Sequence, residues 1–296
     1  MRVRGMEEKI GESPVHVACC QLEPRIGCKE ENMEKTLRFI EEAVKEGAEV
    51  VVLPELANTG YVFETRREAF GLSEPVPEGP TTEAWEETAK EHGIYIAAGI
   101  AEREGHSLYN TGVLLGPEGY LGKYRKLHLW YREKLFFEPG DLGLPVFNTE
   151  IGRLAMMICY DMWFPEVARI YAVQGVDLLL NITNWVAARE PRGEERVTMA
   201  ICMGQSHVNS VFMAAADRVG VERGQAFLGH SLITAPSGLP IAGPASRDRE
   251  EIIIAECDLS EARKAKRKTR LNFTMLDRRT DIYDTLLGYD TLPFPW

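Results

Sequence analysis

The chain lacks any long apolar segment. Hydrophobic residues make up 45% of its 296 residues, yet no run reaches the roughly 18 apolar residues that a membrane-spanning helix needs. The first residues, MRVRGMEEKIGESP, also lack the apolar core of a secretory signal peptide. We therefore expect a protein that has no membrane partner and is located in the cytoplasm.

An excess of positive charge is also missing. The chain has 34 Lys and Arg against 45 Asp and Glu, for a formal net charge of −11. Such a balance repels the phosphates of nucleic acids. The one dense basic run, EARKAKRKTR (261–270), has helical spacing and is more typical of a solvated helix face than of a binding patch. We expect no nucleic-acid partner.

The cysteines and histidines form no metal-binding pattern. None of the six cysteines belongs to a C-x-x-C pair, and the six histidines lack the spacing of zinc ligands. The adjacent Cys19 and Cys20 would point to opposite faces of a strand. We therefore expect no metal, no cofactor and no disulfide framework, and thiols that stay reduced.

Apolar, strand-like runs alternate with amphipathic segments along the chain. The segment ENMEKTLRFIEEAVKEGA predicts a helix with Met33, Leu37, Ile40 and Val44 on one face. Further helices are predicted near 81–92, 165–175 and 193–207. Many strands interleaved with a few helices predict α/β layers in which helices cover the outer faces, and two packed sheets are compatible with this pattern.

No low-complexity linker divides the chain, and layered α/β folds commonly run past about 200 residues as one unit. We predict a polar leader over residues 1–14, one domain over 15–270 and a tail over 271–296. The aromatic and proline content of the tail, DIYDTLLGYDTLPFPW, is typical of a segment that docks on another surface, such as a neighbouring subunit.

A cysteine ends one of the apolar runs. In LAMMICYDMWFPEVAR (154–169), Cys159 follows a strand-like run, and Pro165 fits the first turn of a helix. A side chain at such a strand-to-helix turn projects from the sheet edge, as a nucleophile does. The alternative is a structural thiol, because free cysteine is among the most buried residue types. This stretch alone does not decide between them.

Two other charged residues follow apolar strands. Glu55 lies in VVVLPELANTGY, where burial and a neighbouring like charge would raise its pKa toward the range of a general base. Lys126 lies in YRKLHLWYREKLFFEPGD, where it could be a fixed cation for a developing oxyanion, oriented by Glu133. The alternatives are a solvated loop glutamate and an ordinary surface lysine.

Together, LPELANTGY, YRKLHLWYREKLFFEPGD and ICYDMWFPE, in this order, resemble the Glu, Lys and Cys motifs of the nitrilase superfamily of carbon-nitrogen hydrolases. The resemblance extends from VHVACCQLEP to ECDL. It implies that Glu55 is the general base, Lys126 the oxyanion stabiliser and Cys159 the nucleophile, with Glu133 as a second structural or catalytic glutamate. It also implies a four-layer αββα sandwich of two packed mixed sheets over residues 15–270, and a homo-oligomer that assembles through helical faces.

Residues near the motif ends are candidates for contact with the substrate. We expect this role for Tyr61, Tyr160, Trp163, Asn184 and Trp185. Plain packing is the more common use of such aromatics, Trp130 included. Arg189 or Arg192 could recognise a substrate carboxylate, although an arginine in AAREPRGEER is more typical of a solvated loop.

The resemblance is compatible with several reactions. Tyr160 and Asp161 after the cysteine resemble the amidase branch, which predicts an amidase that acts on a small amide. CYDMWFPE is also similar to the DQWFPE type of N-carbamoyl amine hydrolases, so this activity is the second reading, ahead of a nitrilase. A soluble acyltransferase that uses the same thioester remains open. The intact Glu55, Lys126 and Cys159 count against a non-catalytic interaction protein.

Overall fold

A computed structural model describes residues 14–187 and 194–286, with the main chain alone at 194–195 and 284–286. The strands are β1 (Val15–Gln21), β2 (Val50–Val52), β3 (Tyr95–Glu104), β4 (Ser107–Gly116), β5 (Gly119–Arg125), β6 (Phe147–Asn148), β7 (Arg153–Ile158), β8 (Leu178–Ile182), β9 (Phe212–Ala216), β10 (Val221–Glu222), β11 (Gln225–Ala226), β12 (Leu232–Thr234), β13 (Pro240–Ala242) and β14 (Glu251–Cys257).

The helices lie between these strands and after them. They are α1 (Lys29–Lys45), α2 (Arg66–Leu72), α3 (Pro80–His92), α4 (Pro165–Val173), α5 (Glu194–Asn209), α6 (Ser260–Ala265) and α7 (Thr280–Leu286). Two short 3-10 helices, Tyr131–Leu135 and Cys159–Trp163, follow β5 and β7. The helices predicted near 81–92, 165–175 and 193–207 correspond to α3, α4 and α5.

Two six-stranded mixed sheets form the centre of the molecule. The first has the order β14-β1-β2-β3-β4-β5, and the second has the order β13-β12-β9-β8-β7-β6. In the first sheet β1 is parallel to β2 and antiparallel to β14, while in the second β7, β8 and β9 are parallel. Parallel β7 and β8 end at the same edge of the sheet, which brings the turns after them together.

Helices cover the outer face of each sheet. The alternating side chains of β1 show this arrangement: Val17 and Cys19 pack with residues of the second sheet, whereas Ala18 and Cys20 pack with α1 and α3. The prediction that Cys19 and Cys20 face opposite ways is confirmed. On the far side, α4 and α5 lie against the second sheet. The four-layer αββα sandwich is therefore confirmed.

Helix α1 buries a different stripe from the predicted one. The buried residues are Asn32, Thr36, Phe39, Ile40 and Ala43. Two polar residues enter this stripe because each has a partner: the amide of Asn32 donates to the carbonyl of Asn58 at 3.1 Å, and the hydroxyl of Thr36 accepts from the indole of Trp85 at 2.9 Å. Of the predicted face, Ile40 is buried and Leu37 and Val44 pack at its margin.

The basic run at 261–270 is only partly the solvated helix face that its spacing predicts. Helix α6 ends at Ala265. The next residue, Lys266, is buried and donates to the carbonyl of Val176 at 3.0 Å, and this burial lowers the pKa of its ammonium. The prediction was wrong for Lys266 because this residue lies in a turn after the end of the helix and not on the helix face.

The first part of the predicted tail lies on its own chain. Met275 packs against the main core, and its sulfur is 3.5 Å from a guanidinium nitrogen of Arg169 on α4. Contact with a neighbouring subunit stays a prediction, and residues 287–296 lie outside the described residues. Within 14–187 and 194–286, no helix is both long enough and apolar enough to cross a membrane.

The turn after β2 is pressed against β3 at a glycine. The main chain of Gly99 donates to the carbonyl of Pro54 at 3.1 Å and accepts from the amide of Ala57 at 2.9 Å. A Cβ atom at residue 99 would lie 2.5 Å from both the Cα of Glu55 and the amide nitrogen of Leu56. Only glycine permits this approach, so Gly99 determines where Glu55 sits.

We expect Gly99→Ala to displace this turn. The added methyl meets main-chain atoms that cannot rotate away, so the free energy of unfolding should fall by about 1–3 kcal/mol, the usual range for overpacking. Urea unfolding measures the loss. Gly204→Ala in α5 is the matched control, because a Cβ there meets nothing within 4 Å and alanine favours a helix. An equal loss in both variants would contradict this account.

Candidate active site

A buried ammonium joins two of the predicted residues. Lys126 follows β5, and its Nζ atom lies 2.6 Å from Oε1 of Glu55 and 2.8 Å from Oε1 of Glu133. All three side chains are buried, Glu55 and Lys126 almost completely. The structure therefore brings together the predicted base, the predicted cation and the second glutamate.

The two carboxylate oxygens of Glu55 differ in their hydrogen bonds. Its Oε1 atom accepts from Lys126 and, at 2.6 Å, from the side-chain amide of Asn110 on β4. Its Oε2 atom is buried and has no hydrogen-bond partner in the described structure. Burial raises the pKa of Glu55 to about 7, because desolvation and the charge of Glu133 together outweigh the opposing effect of Lys126.

Lys126 stays charged in this site. Burial alone would lower the pKa of its ammonium, but Glu133 and Glu55 raise the pKa above its ordinary value. Two carboxylates around one ammonium leave one excess negative charge. Burial of the carboxylate is the main reason that Glu55 holds a proton more readily than an ordinary glutamate does, and the charge of Glu133 adds to it.

Cys159 begins the 3-10 helix after β7, in a strained conformation. Its φ angle is +47°, in the left-handed region that residues other than glycine rarely adopt. Its Sγ atom lies 3.7 Å from the main-chain carbonyl of Asn184. Burial, with the charge of Glu55, raises the pKa of the thiol well above its ordinary value, and Lys126 opposes this only in part. The resting residue is therefore a thiol that needs a base.

Backbone strain is concentrated around this site. Among the described residues, six other than glycine have φ in the left-handed region. Three of them lie in the three motif turns: Leu56 beside Glu55, Tyr131 at the start of the turn that carries Glu133, and Cys159 itself. Such strain costs about 1–3 kcal/mol per residue and typically persists at functional sites.

Asp161 connects the cysteine turn to the lysine segment. It is fully buried, and its Oδ2 atom accepts from the amide of Ile158 at 3.1 Å and from the hydroxyl of Tyr124 at 2.7 Å. Its Oδ1 atom accepts from the amide of His128 at 3.0 Å and lies 2.8 Å from the imidazole Nδ1 of that residue. One carboxylate thus holds the residue before Cys159 and a residue on each side of Lys126.

A cavity of about 500 Å³ opens over Cys159. Three predicted substrate residues, Tyr160, Trp163 and Trp185, line it, and Trp130 packs edge-on against Tyr160 with ring centroids 4.8 Å apart. The remaining lining is mostly small or apolar and includes Val186, Ala187, Val197 and Leu228. A second cavity, of about 550 Å³, shares part of this wall and includes Glu133 and Tyr61.

Two predicted substrate residues have partners inside the protein. The hydroxyl of Tyr61 donates to Oε1 of Glu133 at 2.6 Å, and burial raises the pKa of this phenol, so it stays a donor. The amide of Asn184 donates to the main-chain carbonyl of Glu55 at 2.7 Å. Substrate contact by either stays a prediction. Arg189 and Arg192 lie outside the described residues.

Sequence reasoning missed several residues that shape the site. Asn110 and Asp161 hold the site from β4 and from the cysteine turn, and Tyr131 and Gln225 line the cavity. An asparagine inside the apolar strand LYNTGVLL was the available signal for Asn110. No cluster of three or more His, Cys, Asp or Glu suited to a metal ion occurs in the part of the chain that the structure describes.

We expect Asp161→Ala to destabilise the fold, which urea unfolding measures. The change leaves buried donors without an acceptor, so the free energy of unfolding should fall by about 3 kcal/mol or more. Asp141→Ala is the control, because Asp141 is an exposed carboxylate that pairs with Arg125, and its loss should cost less than about 1 kcal/mol. Wild-type stability in Asp161→Ala would contradict the role of this carboxylate.

The chain matches the family model for carbon-nitrogen hydrolases over residues 16–267. It is 45% identical over 269 residues to a protein named nitrilase from Pyrococcus abyssi, covering 91% of this chain and 99% of that protein. It is 31% identical over 305 residues to N-carbamoylputrescine amidase from rice, Oryza sativa subsp. japonica, covering 97% of each chain.

Solved structures show the same fold. A carbon-nitrogen hydrolase from Helicobacter pylori G27 superimposes with a TM-score of 0.83 at 28% identity, covering 94% of this chain and 99% of that one. An amidase from Nesterenkonia sp. has a TM-score of 0.76 at 22% identity, covering 93% and 97%. The chain therefore belongs to the carbon-nitrogen hydrolase family, within the nitrilase superfamily.

Proposed function

We propose that this protein hydrolyses a small amide to the acid and ammonia through a thioester on Cys159. The observation that carries the proposal is the ammonium of Lys126, held between Glu55 and Glu133 in a buried site. The charges of these three residues also act on the thiol of Cys159 and shift its pKa. A carboxylate, a cation and a thiol can supply the base, the oxyanion stabiliser and the nucleophile of thiol-mediated amide cleavage.

The first step forms the carbon–sulfur bond. Glu55 takes the thiol proton of Cys159, through the Oε2 atom, which has no hydrogen-bond partner among the described residues. The thiolate attacks the amide carbonyl, and the negative charge moves to the carbonyl oxygen. Lys126 stabilises this oxyanion, together with the main-chain amide of Tyr160, the residue after the nucleophile. Donors that are already oriented are the largest stabilising contribution in such reactions.

The second half of the reaction regenerates the enzyme. The tetrahedral intermediate collapses, the carbon–nitrogen bond breaks, and Glu55 gives its proton to the departing ammonia. Glu55 then takes a proton from a water molecule whose oxygen attacks the thioester. Breaking the carbon–sulfur bond releases the acid, and the proton returns to the sulfur, so one water is consumed for each amide.

The aromatic lining of the cavity over Cys159 supports a small, uncharged amide as substrate. Hydrolysis of an N-carbamoyl amine is the second candidate, which the relatives named N-carbamoylputrescine amidase favour. Nitrile hydrolysis is a third, favoured by the relative from P. abyssi named nitrilase. Acyl transfer to a soluble amine requires only that an amine replace the water.

We also propose that the enzyme is a cytoplasmic homo-oligomer. Helices α4 and α5 carry exposed apolar side chains, among them Ile170, Val173 and Val208, which a second subunit would cover. Exposed apolar patches of this kind are typical of interaction surfaces.

We expect Cys159→Ala to abolish ammonia release while the circular dichroism spectrum stays that of the wild type, because the variant lacks the atom that attacks the substrate. The measurement uses a short aliphatic amide, an N-carbamoyl amine and a short aliphatic nitrile, with carbon dioxide measured beside ammonia. The compound that the wild type turns over fastest identifies the reaction. Release of carbon dioxide beside ammonia marks hydrolysis of the carbamoyl compound, because neither the amide nor the nitrile yields it. Full activity in Cys159→Ala would overturn the proposal.

The pH dependence of kcat/KM should follow Glu55. A general base must be deprotonated to act, and burial places the pKa of Glu55 at about 7, so kcat/KM should fall about tenfold per pH unit below that value. A rate profile between pH 5 and pH 10 measures this dependence. An increase that begins only above about pH 9 would instead indicate direct ionisation of the thiol and would contradict a glutamate base.

A further inference from the structure

A buried carboxylate outside the lysine cluster holds the chain beside Glu55. Glu222 ends β10, in the β10–β11 hairpin, and is nearly fully buried. Its Oε2 atom accepts from two successive main-chain amides, that of Tyr61 at 2.8 Å and that of Val62 at 2.6 Å. Hydrogen bonds to an ionised acceptor are about twice as strong as neutral ones. The turn after Glu55 is therefore fixed at its far end by a residue that is distant in sequence.

A buried arginine completes this arrangement. A guanidinium nitrogen of Arg218 lies 3.2 Å from Oε1 of Glu222, and another donates to the carbonyl of Pro24 at 2.7 Å. The guanidinium carbon also lies 4.0 Å from the ring centre of Phe227, and this ring packs edge-on against Tyr61 with centroids 5.8 Å apart. The same group of residues thus holds Tyr61 both by its main chain and by its ring.

Gly60 shows how closely this carboxylate fits the turn. The residue has φ +84°, and a Cβ atom there would lie 2.7 Å from Oε1 of Glu222 and 2.5 Å from the Cα of Ile26. The carboxylate of Glu222 therefore has little room to move relative to residues 60–62.

The hydroxyl of Tyr61 connects the main chain that Glu222 holds with the residues around Lys126. It donates to Oε1 of Glu133 at 2.6 Å, and that same oxygen accepts from Lys126 at 2.8 Å. Hydrogen bonds thus link Glu222 to the main chain of Tyr61, and the hydroxyl of Tyr61 through Glu133 to Lys126 and Glu55; the covalent frame of Tyr61 joins the two parts.

We propose that Glu222 is a positioning residue of the reaction: by holding the main chain of Tyr61, it sets the phenol against Glu133 and thereby sets where the ammonium of Lys126 lies. The proposal rests on the proposed function. The hairpin that carries Glu222 also carries Gln225, which lines both cavities, so the wall of the substrate site and the position of Lys126 depend on one element.

A double-mutant cycle between Glu222→Gln and Tyr61→Phe tests this role. Tyr61→Phe removes only the hydroxyl, so Glu133 draws the ammonium toward itself and away from Glu55. We expect kcat to fall about tenfold or more, since small displacements of catalytic groups have such effects. KM should change less than twofold. The midpoint of the acidic limb of the pH profile should rise, because Glu55 loses part of its cation.

Glu222→Gln should produce the same two changes in the wild-type background. In the Tyr61→Phe background it should change neither kcat nor the midpoint further, because its effect passes through the missing hydroxyl. Should Glu222→Gln fail to fold, Glu222→Asp replaces it in the cycle. The aspartate keeps the charge beside Arg218 but withdraws the carboxylate from the amides of Tyr61 and Val62.

Two variants are matched controls. Glu74→Gln changes another buried glutamate that accepts from a main-chain amide, that of Thr81 at 3.0 Å, and pairs with Lys29. Tyr109→Phe removes the hydroxyl of another buried tyrosine, and this hydroxyl lies 3.5 Å from Oδ2 of Asp141. Both should keep wild-type kcat and pH midpoint.

A purely structural Glu222 gives a different result. In that case Glu222→Gln or Glu222→Asp lowers the melting temperature but leaves the pH midpoint unchanged, or it lowers kcat by the same factor in both backgrounds, and either result overturns the inference. Failure of the proposed function would give a different result: the wild type would not turn over an amide, or Cys159→Ala would stay active.

Discussion

The placement of one ammonium between two carboxylates in a buried site is the interaction on which this molecule depends. A buried lysine without partners would lose its charge, and two buried glutamates without a cation would not both ionise. With Lys126 between Glu55 and Glu133 the cluster retains a single excess negative charge. Burial of the Glu55 carboxylate, with the charge of Glu133, raises its pKa against the opposing effect of Lys126, into the range where a carboxylate can accept a proton from a thiol and return it.

The fold places this cluster and Cys159 at the ends of strands. Glu55, Lys126 and Cys159 each follow a strand, and the two sheets bring the three strand ends together. Main-chain strain at Leu56, Tyr131 and Cys159 shows that the turns are held against their own preferences. The stabilisation comes from two buried carboxylates: Asp161, within the cysteine turn itself, and Glu222, on the β10–β11 hairpin, for the turn after Glu55.

Local patterns in the sequence predicted the strands and helices, because apolar runs and their spacing are short-range signals. The four layers and the joint choice of Glu55, Lys126 and Cys159 followed instead from the resemblance of three motifs, taken together, to a known superfamily. Long-range partners were not accessible in this way. Asn110 and Glu222 reach Glu55 and Tyr61 across 55 and 161 positions, and the residues around them do not indicate which partner each one meets. The stripe of α1 was misplaced for the same reason, since Thr36 is buried only because Trp85 lies opposite.

The measurement that tests the account most directly is rapid acid quench of the wild type during turnover of the preferred amide, followed by mass spectrometry of the peptides. The account predicts a transient acyl group on the peptide that contains Cys159, with the mass of the substrate acyl group in place of the thiol hydrogen. An acyl group on any other residue, or steady turnover with no adduct at any time point, would contradict a thioester formed next to Lys126 and Glu55.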